Sequence, residues 1–300
     1  MTTLFPGFER RRVRVNDGTR GAVTINLVMG GEGPPPLLLH GYPQTHAMWH
    51  KVAPVLARDY TVICADLRGY GDSSKPRGLP GHLNYSKRAM ALDMALVMES
   101  LGFLGFHVVG HDRGGRVAHR LARDFPKRVR TLTVMDISPT LKMYQSTSMP
   151  FAKAYWHWFF LIQEEPLPER MLAGHVPWYI LSRLGRGPGR LKSFSKQAVM
   201  EYTRCFRDPR TIHATCEDYR AAATIDLVHD KQDARKKIRM PVLALWAKHG
   251  VVEALFDCLR DWREVAEDVR GKALNCGHFI AEEKPRDLLV ELRRFLDVRR

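Results

Sequence analysis

The sequence is poor in the features that mark secreted, metal-binding and membrane-spanning proteins. Its cysteines are odd in number and scattered, with no Cys-x-x-Cys pair and no metal-ligand spacing to histidines. The five are Cys64, Cys205, Cys216, Cys258 and Cys276. Apolar runs such as residues 158–162 fall far short of the roughly 20 residues of a membrane helix. Early arginines have no apolar stretch behind them, so we predict no signal peptide. We expect reduced thiols in a cytoplasmic protein.

Positive charge, by contrast, is abundant. The formal net charge is +15, from 47 Lys and Arg against 32 Asp and Glu. The basic residues are spread along the chain, interleaved with acids, and form no nucleic-acid-binding motif. We therefore expect no nucleic-acid partner and no membrane partner. The surplus is either a solvated basic surface or a field that draws in small anionic substrates.

Apolar segments of strand and helix length alternate along most of the chain, which predicts a parallel sheet. Predicted strands cover residues 12–15, 22–29, 36–39, 60–65, 106–109, 129–135, 241–246 and 269–274, and predicted helices cover residues 48–58, 87–101, 113–124, 253–266 and 286–298. Between them lies a stretch rich in aromatic residues and proline, with helical patches only. We interpret residues 1–138 and 226–300 as the core domain and residues 139–225 as an inserted helical cap.

The segment Gly110-His111-Asp112-Arg113-Gly114 fits the pattern Gly-x-nucleophile-x-Gly between a strand and a helix. It predicts an α/β-hydrolase fold, with a mostly parallel sheet of about eight strands flanked by helices and the inserted cap. The alternative is a plain glycine-flanked turn in which Asp112 caps the helix. No hydroxyl or thiol occupies the central position, which disfavours a serine-type esterase. A carboxylate suits displacement at an alkyl carbon that carries a halide or an epoxide oxygen.

The ester formed by such a displacement must be hydrolysed by a general base with an oxyanion hole. His278, in Gly277-His278-Phe279, follows the last predicted strand and is the expected base. Asp136 follows the strand at 129–135 and is the expected orienting acid, with Glu253 as the alternative. The expected oxyanion donors are the backbone N–H groups of Tyr42 and Arg113.

Two arginines next to the predicted nucleophile indicate the charge of the substrate. Arg113 and Arg116 lie three residues apart on one helix, so both can face the side of Asp112. A guanidinium offers a carboxylate two parallel hydrogen bonds, and a buried pair would be costly without an anion. We therefore predict that they bind a substrate carboxylate. The alternative is that one of them is a surface residue of the helix.

Over nearly its whole length the chain resembles the haloacetate (fluoroacetate) dehalogenases, a family of α/β hydrolases with an aspartate nucleophile. The likeness rests on residues 40–46, 66–73, 111–116, 155–160, 216–221 and 277–279. It implies Asp112 as nucleophile, Arg113 and Arg116 as the carboxylate site, and His157, Trp158 and Tyr219 as donors to the departing halide. It also implies a homodimer.

One stretch departs from the family. Residues 184–189 hold no aromatic residue where other members carry a cap tryptophan. The resemblance therefore does not predict the shape of the pocket or the size of the substrate.

These observations favour a dehalogenase that converts fluoroacetate or chloroacetate to glycolate, with no cofactor and no metal. An epoxide hydrolase with the same nucleophile is the alternative, since cap tyrosines could protonate an opened epoxide oxygen. The tyrosines in question are Tyr144, Tyr155, Tyr179, Tyr202 and Tyr219. The paired arginines disfavour it, because a neutral epoxide offers them no partner. A third hypothesis is a ligand-binding protein with an inactive triad.

Overall fold

One sheet of eight strands forms the centre of the computed structural model, which describes residues 4–16, 21–185 and 190–297. The strands are β1 (Glu9–Val15), β2 (Val23–Gly30), β3 (Pro36–Leu39), β4 (Val62–Ala65), β5 (Phe106–His111), β6 (Val129–Met135), β7 (Val242–Ala247) and β8 (Val269–Leu274). Their order across the sheet is β1-β2-β4-β3-β5-β6-β7-β8. β2 runs antiparallel to β1 and β4, whereas the other neighbours are parallel. The predicted α/β-hydrolase fold and strand number are confirmed.

The central strands are buried on both faces, which explains their continuous apolar sequences. Every residue of β3 and of β5 is buried. The two strands pair in parallel, with Pro36 opposite His107 and Leu39 opposite Gly110. Their carboxyl ends are therefore level. This register brings the loop after β3 next to the turn after β5, where the predicted nucleophile lies.

Helices cover the sheet and fill the predicted cap. Those of the core are α1 (Ala53–Leu56), α2 (Lys87–Ser100), α3 (Arg113–Asp124), α12 (Val251–Leu255), α13 (Cys258–Val265), α14 (Ile280–Glu283) and α15 (Pro285–Asp297). Those between β6 and β7 are α4 (Thr140–Gln145), α5 (Met149–Ala154), α6 (Trp156–Leu161), α7 (Leu167–Ala173), α8 (Val176–Leu184), α9 (Lys196–Phe206), α10 (Pro209–Ala223) and α11 (Ile225–Gln232). Short 3₁₀ helices cover His46–Trp49, Pro80–Tyr85 and Arg190–Ser193. Among the described residues, no helix has the length and apolar character required to cross a membrane.

Two predicted helices are each divided in the structure. The segment 48–58 forms a 3₁₀ turn and then α1, because Pro54 occupies the first turn of a new helix. The segment 253–266 forms α12 and α13, because the Asp257 side chain accepts the backbone N–H of Arg260 at 3.0 Å and starts a second helix.

The helices between β6 and β7 occupy the stretch that was predicted to form the cap. No strand lies between Met135 and Val242 in the described part of that stretch, which leaves out residues 186–189. The division at residues 138/139 and 225/226 stays a prediction, and α11 begins at the second of these boundaries. The segment 184–189, singled out for its missing tryptophan, lies mostly outside the described residues.

Candidate active site

Four predicted site residues follow the carboxyl ends of parallel strands. Tyr42 lies after β3, Asp112 after β5, Asp136 after β6 and His278 after β8. In a parallel sheet these ends share one edge, where such folds bind their ligands. The sheet order therefore brings together residues that are up to 236 positions apart in the chain, from 42 to 278.

Asp112 occupies a sharp turn between β5 and α3. Its backbone has φ 47° and ψ −113°, an unusual conformation for a residue other than glycine. The turn closes tightly, since a Cβ on Gly110 would lie 2.4 Å from the Gly114 carbonyl oxygen. The Asp112 side chain makes no capping hydrogen bond to α3. This geometry is that of a nucleophile elbow, and the plain capping turn does not describe it.

The backbone N–H of Tyr42 donates a 2.9 Å hydrogen bond to Asp112 Oδ1. Gly41 permits this approach, because a Cβ there would lie 2.6 Å from the Asp112 Cβ. Arg113 is the first residue of α3, so its N–H belongs to the unpaired first turn of the helix. The two predicted oxyanion donors thus lie on elements that meet at Asp112.

His278 and Asp136 form a hydrogen-bonded pair in which Asp136 is buried and the His278 side chain is 21% exposed. His278 Nδ1 donates to Asp136 Oδ2 at 2.5 Å, and the other oxygen, Oδ1, accepts the N–H of Ala247 at 2.9 Å. The alternative acid, Glu253, instead accepts the indole N–H of Trp246. The structure therefore places Asp136, and not Glu253, beside the histidine. Anchoring of both carboxylate oxygens fixes the orientation of the imidazole.

The local charges favour an ionised carboxylate at position 112. Burial raises the pKa of Asp112, but the neighbouring His278 and the two arginines outweigh it, so that the pKa lies below its ordinary value. Burial lowers the pKa of His278, but its hydrogen bond to Asp136 and the charges of both carboxylates raise it above its ordinary value. Desolvation and the charge of His278 lower the pKa of His111 to about 4. His111 is therefore neutral, and its Nε2 donates to the His278 carbonyl oxygen at 2.8 Å.

A cavity of about 410 Å³ opens onto these groups. Its lining includes Tyr42, Asp112, Asp136, His157 and His278. Pocket volumes of roughly 300–1,000 Å³ hold small-molecule ligands. The cavity is therefore large enough for a small organic acid, with the nucleophile and the base on its wall.

Arg113, predicted to bind a substrate carboxylate, is paired within the protein. Its Nε and Nη2 donate to the two carboxylate oxygens of Asp218 at 2.8 Å, and Nη2 also donates to the Asp218 carbonyl oxygen at 2.8 Å. Lys87 and Tyr70 bind the same carboxylate. Arg113 Nη1 is buried and has no hydrogen-bond partner among the described residues. Only this edge of the guanidinium is available to a ligand.

Arg116 is buried without a carboxylate partner in the described part of the chain. Its Nη1 donates to Thr140 Oγ1 at 2.9 Å, and its Cζ lies 4.8 Å from the centre of the Trp158 ring. Its Nε has no partner among those residues. Burial and the charge of Arg113 lower the pKa of Arg116. Neither arginine is a surface residue, so that alternative does not hold.

The three predicted halide donors cluster beneath Tyr42. The ring of Tyr219 lies 5.3 Å from that of Tyr42, 5.8 Å from His157 and 6.4 Å from Trp158. Trp158 Nε1 and Tyr219 Oη are buried donors with no hydrogen-bond partner among the described residues. His157 differs, because its Nε2 accepts a 3.2 Å hydrogen bond from Arg183. Desolvation and the charge of Arg183 hold the pKa of His157 well below its usual range, so the ring is neutral.

Two residues of this region were missed by sequence reasoning. Asp218 neutralises Arg113, and Arg183 reaches the cavity beside His157. Asp218 directly precedes Tyr219 in the segment 216–221, so a search for a counterion to the arginines could have found it. No pattern in the sequence distinguishes Arg183 from the other arginines of the cap.

Fold and site together define an α/β hydrolase with an aspartate at the nucleophile elbow. The family model of the alpha/beta hydrolase fold matches residues 34–285. The chain is 46% identical over 294 residues to a fluoroacetate dehalogenase of Burkholderia sp, covering 98% of this chain and 95% of that protein. The chain belongs to the haloacetate (fluoroacetate) dehalogenase family of α/β hydrolases. The predicted resemblance and the prediction of a hydrolase are confirmed.

Other relatives carry the name of the alternative activity. A soluble epoxide hydrolase of Corynebacterium sp. (strain C12) is 34% identical over 275 residues, covering 90% of this chain and 93% of that protein. Among solved structures, ALR0039 from Nostoc sp PCC 7120 has 54% identity and a TM-score of 0.93, with 96% of this chain and 98% of that chain covered. The epoxide hydrolase CorEH has 32% identity and a TM-score of 0.87, with 98% and 100% covered.

Proposed function

We propose that the protein is a hydrolytic dehalogenase that converts fluoroacetate or chloroacetate to glycolate and halide. The observation that carries the proposal is Asp112 in the elbow, on the wall of one cavity with His278 and near buried donors that have no hydrogen-bond partner among the described residues. A carboxylate nucleophile suits attack on a saturated carbon, which gives an alkyl ester. Unpartnered buried N–H groups suit an anionic substrate and an anionic leaving group.

In the first step an Asp112 oxygen attacks the carbon that bears the halogen. Oδ1 is held by the Tyr42 N–H, whereas Oδ2 has no hydrogen-bond partner among the described residues, so Oδ2 is the proposed nucleophile. The new C–O bond forms as the carbon–halogen bond breaks, and the halide leaves with the electron pair. The substrate carboxylate binds Arg113 Nη1 and Arg116 Nε, which have no hydrogen-bond partner among the described residues.

The departing halide needs donors, since fluoride in particular is a poor leaving group. Trp158 Nε1 and Tyr219 Oη are the proposed donors, because both are buried without a partner in the described chain. His157 is proposed to complete this site. Its Nε2 accepts from Arg183, so the neutral ring carries its proton on Nδ1 and can donate only from that nitrogen.

In the second step water hydrolyses the ester on Asp112. His278 takes a proton from the water, and the resulting hydroxide attacks the carbonyl carbon of the ester. The N–H groups of Tyr42 and Arg113 stabilise the oxyanion, and Asp136 stabilises the imidazolium through its 2.5 Å hydrogen bond. Collapse releases glycolate and regenerates Asp112, which then holds one oxygen from water. His278 releases its proton, so each cycle yields one halide and one proton.

We propose a cytoplasmic homodimer that requires no metal and no cofactor. In support of reduced surroundings, all five cysteines are free and buried. Trp178, Met171 and Met149 are more than half exposed on the cap and provide apolar surface for a second copy. Light scattering at several concentrations tests the dimer.

Epoxide hydrolysis is the second candidate. It is favoured by Tyr155, which lines the cavity, and by Tyr219, whose hydroxyl has no hydrogen-bond partner in the described part of the chain. Either hydroxyl could protonate an epoxide oxygen. It is disfavoured by Arg116, a buried cation that a neutral substrate would leave without an anion.

A fluoride electrode assay with fluoroacetate, run beside chloroacetate and styrene oxide, tests the proposal. We expect halide release from the haloacetates that is lost in Asp112→Asn. Turnover of styrene oxide without any halide release would establish the second candidate. Stoichiometric retention of a haloacetate without product would instead indicate a binding protein.

A further inference from the structure

Arg183 is a buried cation on the wall of the cavity that contains the nucleophile. It lies near the end of α8, is 7% exposed, and lines the cavity together with Asp112 and His278. Its Nη2 donates to His157 Nε2 at 3.2 Å, whereas its Nε has no hydrogen-bond partner among the described residues. In the proposed chemistry at Asp112, Arg183 acts only through its hydrogen bond to His157 and contacts no part of the substrate.

Most of the other buried arginines in the described part of the chain are neutralised by a carboxylate. Six are buried in the described part of the chain: Arg68, Arg113, Arg116, Arg120, Arg183 and Arg220. Four of them have a carboxylate within 3 Å, namely Arg68, Arg113, Arg120 and Arg220. Arg116 and Arg183 form no ion pair with a described carboxylate. Since a buried charge without a counterion is costly, these two positions suit an anion supplied by a ligand.

The two unneutralised arginines lie at different places in the site. Arg116 packs against Trp158, 4.8 Å from the ring centre, whereas Arg183 contacts His157. These are consecutive residues of α6, so their side chains leave the helix about 100° apart. The two guanidinium groups therefore contact different faces of α6, and each is a candidate position for negative charge.

The cavity has room for a substrate that extends from Asp112 to Arg183, since both residues line it. Its volume of about 410 Å³ falls in the range that holds drug-sized ligands, and a two-carbon acid would occupy a small part of it. Apolar residues such as Val251, Ala254 and Leu255 line it as well and can contact a short carbon chain.

We propose that Arg183 binds a second anionic group of the substrate, so that the enzyme prefers 2-halo dicarboxylates to monocarboxylates of the same length. The inference rests on the proposed dehalogenation at Asp112 and keeps its chemistry. Asp112 displaces halide from the carbon next to the first carboxylate, water cleaves the ester, and the product is a 2-hydroxy dicarboxylate. The second carboxylate accepts hydrogen bonds from the guanidinium of Arg183 and takes no part in bond making or breaking.

The test compares 2-chlorosuccinate with 2-chlorobutanoate, which has the same number of carbons but one carboxylate fewer. Chloride release is measured for the wild type, for Arg183→Gln, and for Arg207→Gln, which removes the same charge from an exposed position of the cap. We expect the wild type to prefer 2-chlorosuccinate. Arg183→Gln should lower kcat/KM for 2-chlorosuccinate at least tenfold more than for 2-chlorobutanoate, and Arg207→Gln should leave the ratio as in the wild type. Equal losses on both substrates, or a wild-type preference for 2-chlorobutanoate, would overturn the proposal.

Calorimetric binding of succinate and butanoate separates this proposal from the dehalogenase proposal, because neither acid can react. Tighter binding of succinate that is lost in Arg183→Gln supports the second anion position even if no haloacid releases halide. Turnover of chloroacetate without a preference for succinate refutes the second position alone. Arg183→Lys retains the charge and should keep part of the preference, which guards against misfolding of the glutamine variant.

Discussion

Replacement of Asp136 by asparagine should stop the enzyme halfway through its cycle. Asparagine can still accept the Ala247 N–H through its amide oxygen, so the backbone at β7 keeps its contact. Its amide nitrogen, however, then faces His278 Nδ1, where the carboxylate now accepts at 2.5 Å. Two donors cannot share that position, so His278 must place its proton on Nε2, where it cannot act as a base.

The predicted loss falls on ester hydrolysis. An asparagine in this role, which selects the wrong tautomer, lowers turnover on the order of 10⁴-fold in serine proteases, and we expect at least 10³-fold here. Attack by Asp112 needs no base, so a burst of one halide per active site should precede the stalled state. Mass spectrometry should show the protein heavier by the group esterified to Asp112.

Glu253→Gln is the matched control, since Glu253 was the other candidate acid and binds Trp246. It should turn over within about twofold of the wild type, because no proposed step involves it. Two results would refute the reasoning. One is steady turnover by Asp136→Asn at the wild-type rate, and the other is a folded Asp136→Asn enzyme with no halide burst.

Three further predictions concern ionisation and stability. The rate of ester hydrolysis should fall at low pH with a midpoint above pH 6.5, because Asp136 raises the pKa of His278 and the base must be neutral. A single-turnover pH profile with its midpoint below 6.5 would contradict this. Asp218→Asn should destabilise the protein by about 3–5 kcal/mol in urea unfolding, because it leaves the buried Arg113 without its partner, and a change under 1 kcal/mol would refute that role. Burial raises the pKa of Glu282 to about 7 although Tyr202 donates to it at 2.5 Å. The folded state therefore holds this proton more tightly than the unfolded chain, so the free energy of unfolding falls as pH rises from about 4.5 to 7. Glu282→Gln should remove up to about 3 kcal/mol of that pH dependence. An unchanged pH dependence of the unfolding free energy would contradict this role of Glu282.

The sequence predicted the parts of the fold that local patterns determine. Buried strands such as β3 and β5 are continuous apolar runs, and the glycines around Asp112 are required by contacts as short as 2.4 Å. Chain order then predicted His278, because in this fold the loop after the last strand carries the histidine of the triad. The division of two predicted helices was missed, since a proline or an aspartate at a helix start competes with an apolar pattern that runs across it.

The partners of the arginines could not be predicted in the same way. Arg113 and Asp218 are 105 residues apart, and their contact depends on how the cap lies over the core. Arg183 is one of several cap arginines, and only its burial beside His157 separates it from them. Such cap-to-core contacts have no local pattern, because neither element fixes the position of the other.

In the proposed mechanism the oxygen added to the substrate comes from Asp112, and an oxygen from water replaces it in the carboxylate. A single turnover of excess enzyme with fluoroacetate in 18-oxygen water, followed by mass spectrometry of the peptide that contains Asp112, tests it directly. We predict one labelled oxygen in the Asp112 carboxylate and unlabelled glycolate. Labelled glycolate with an unlabelled Asp112 would mean that water attacks the substrate directly, and it would contradict the assignment of Asp112 as nucleophile.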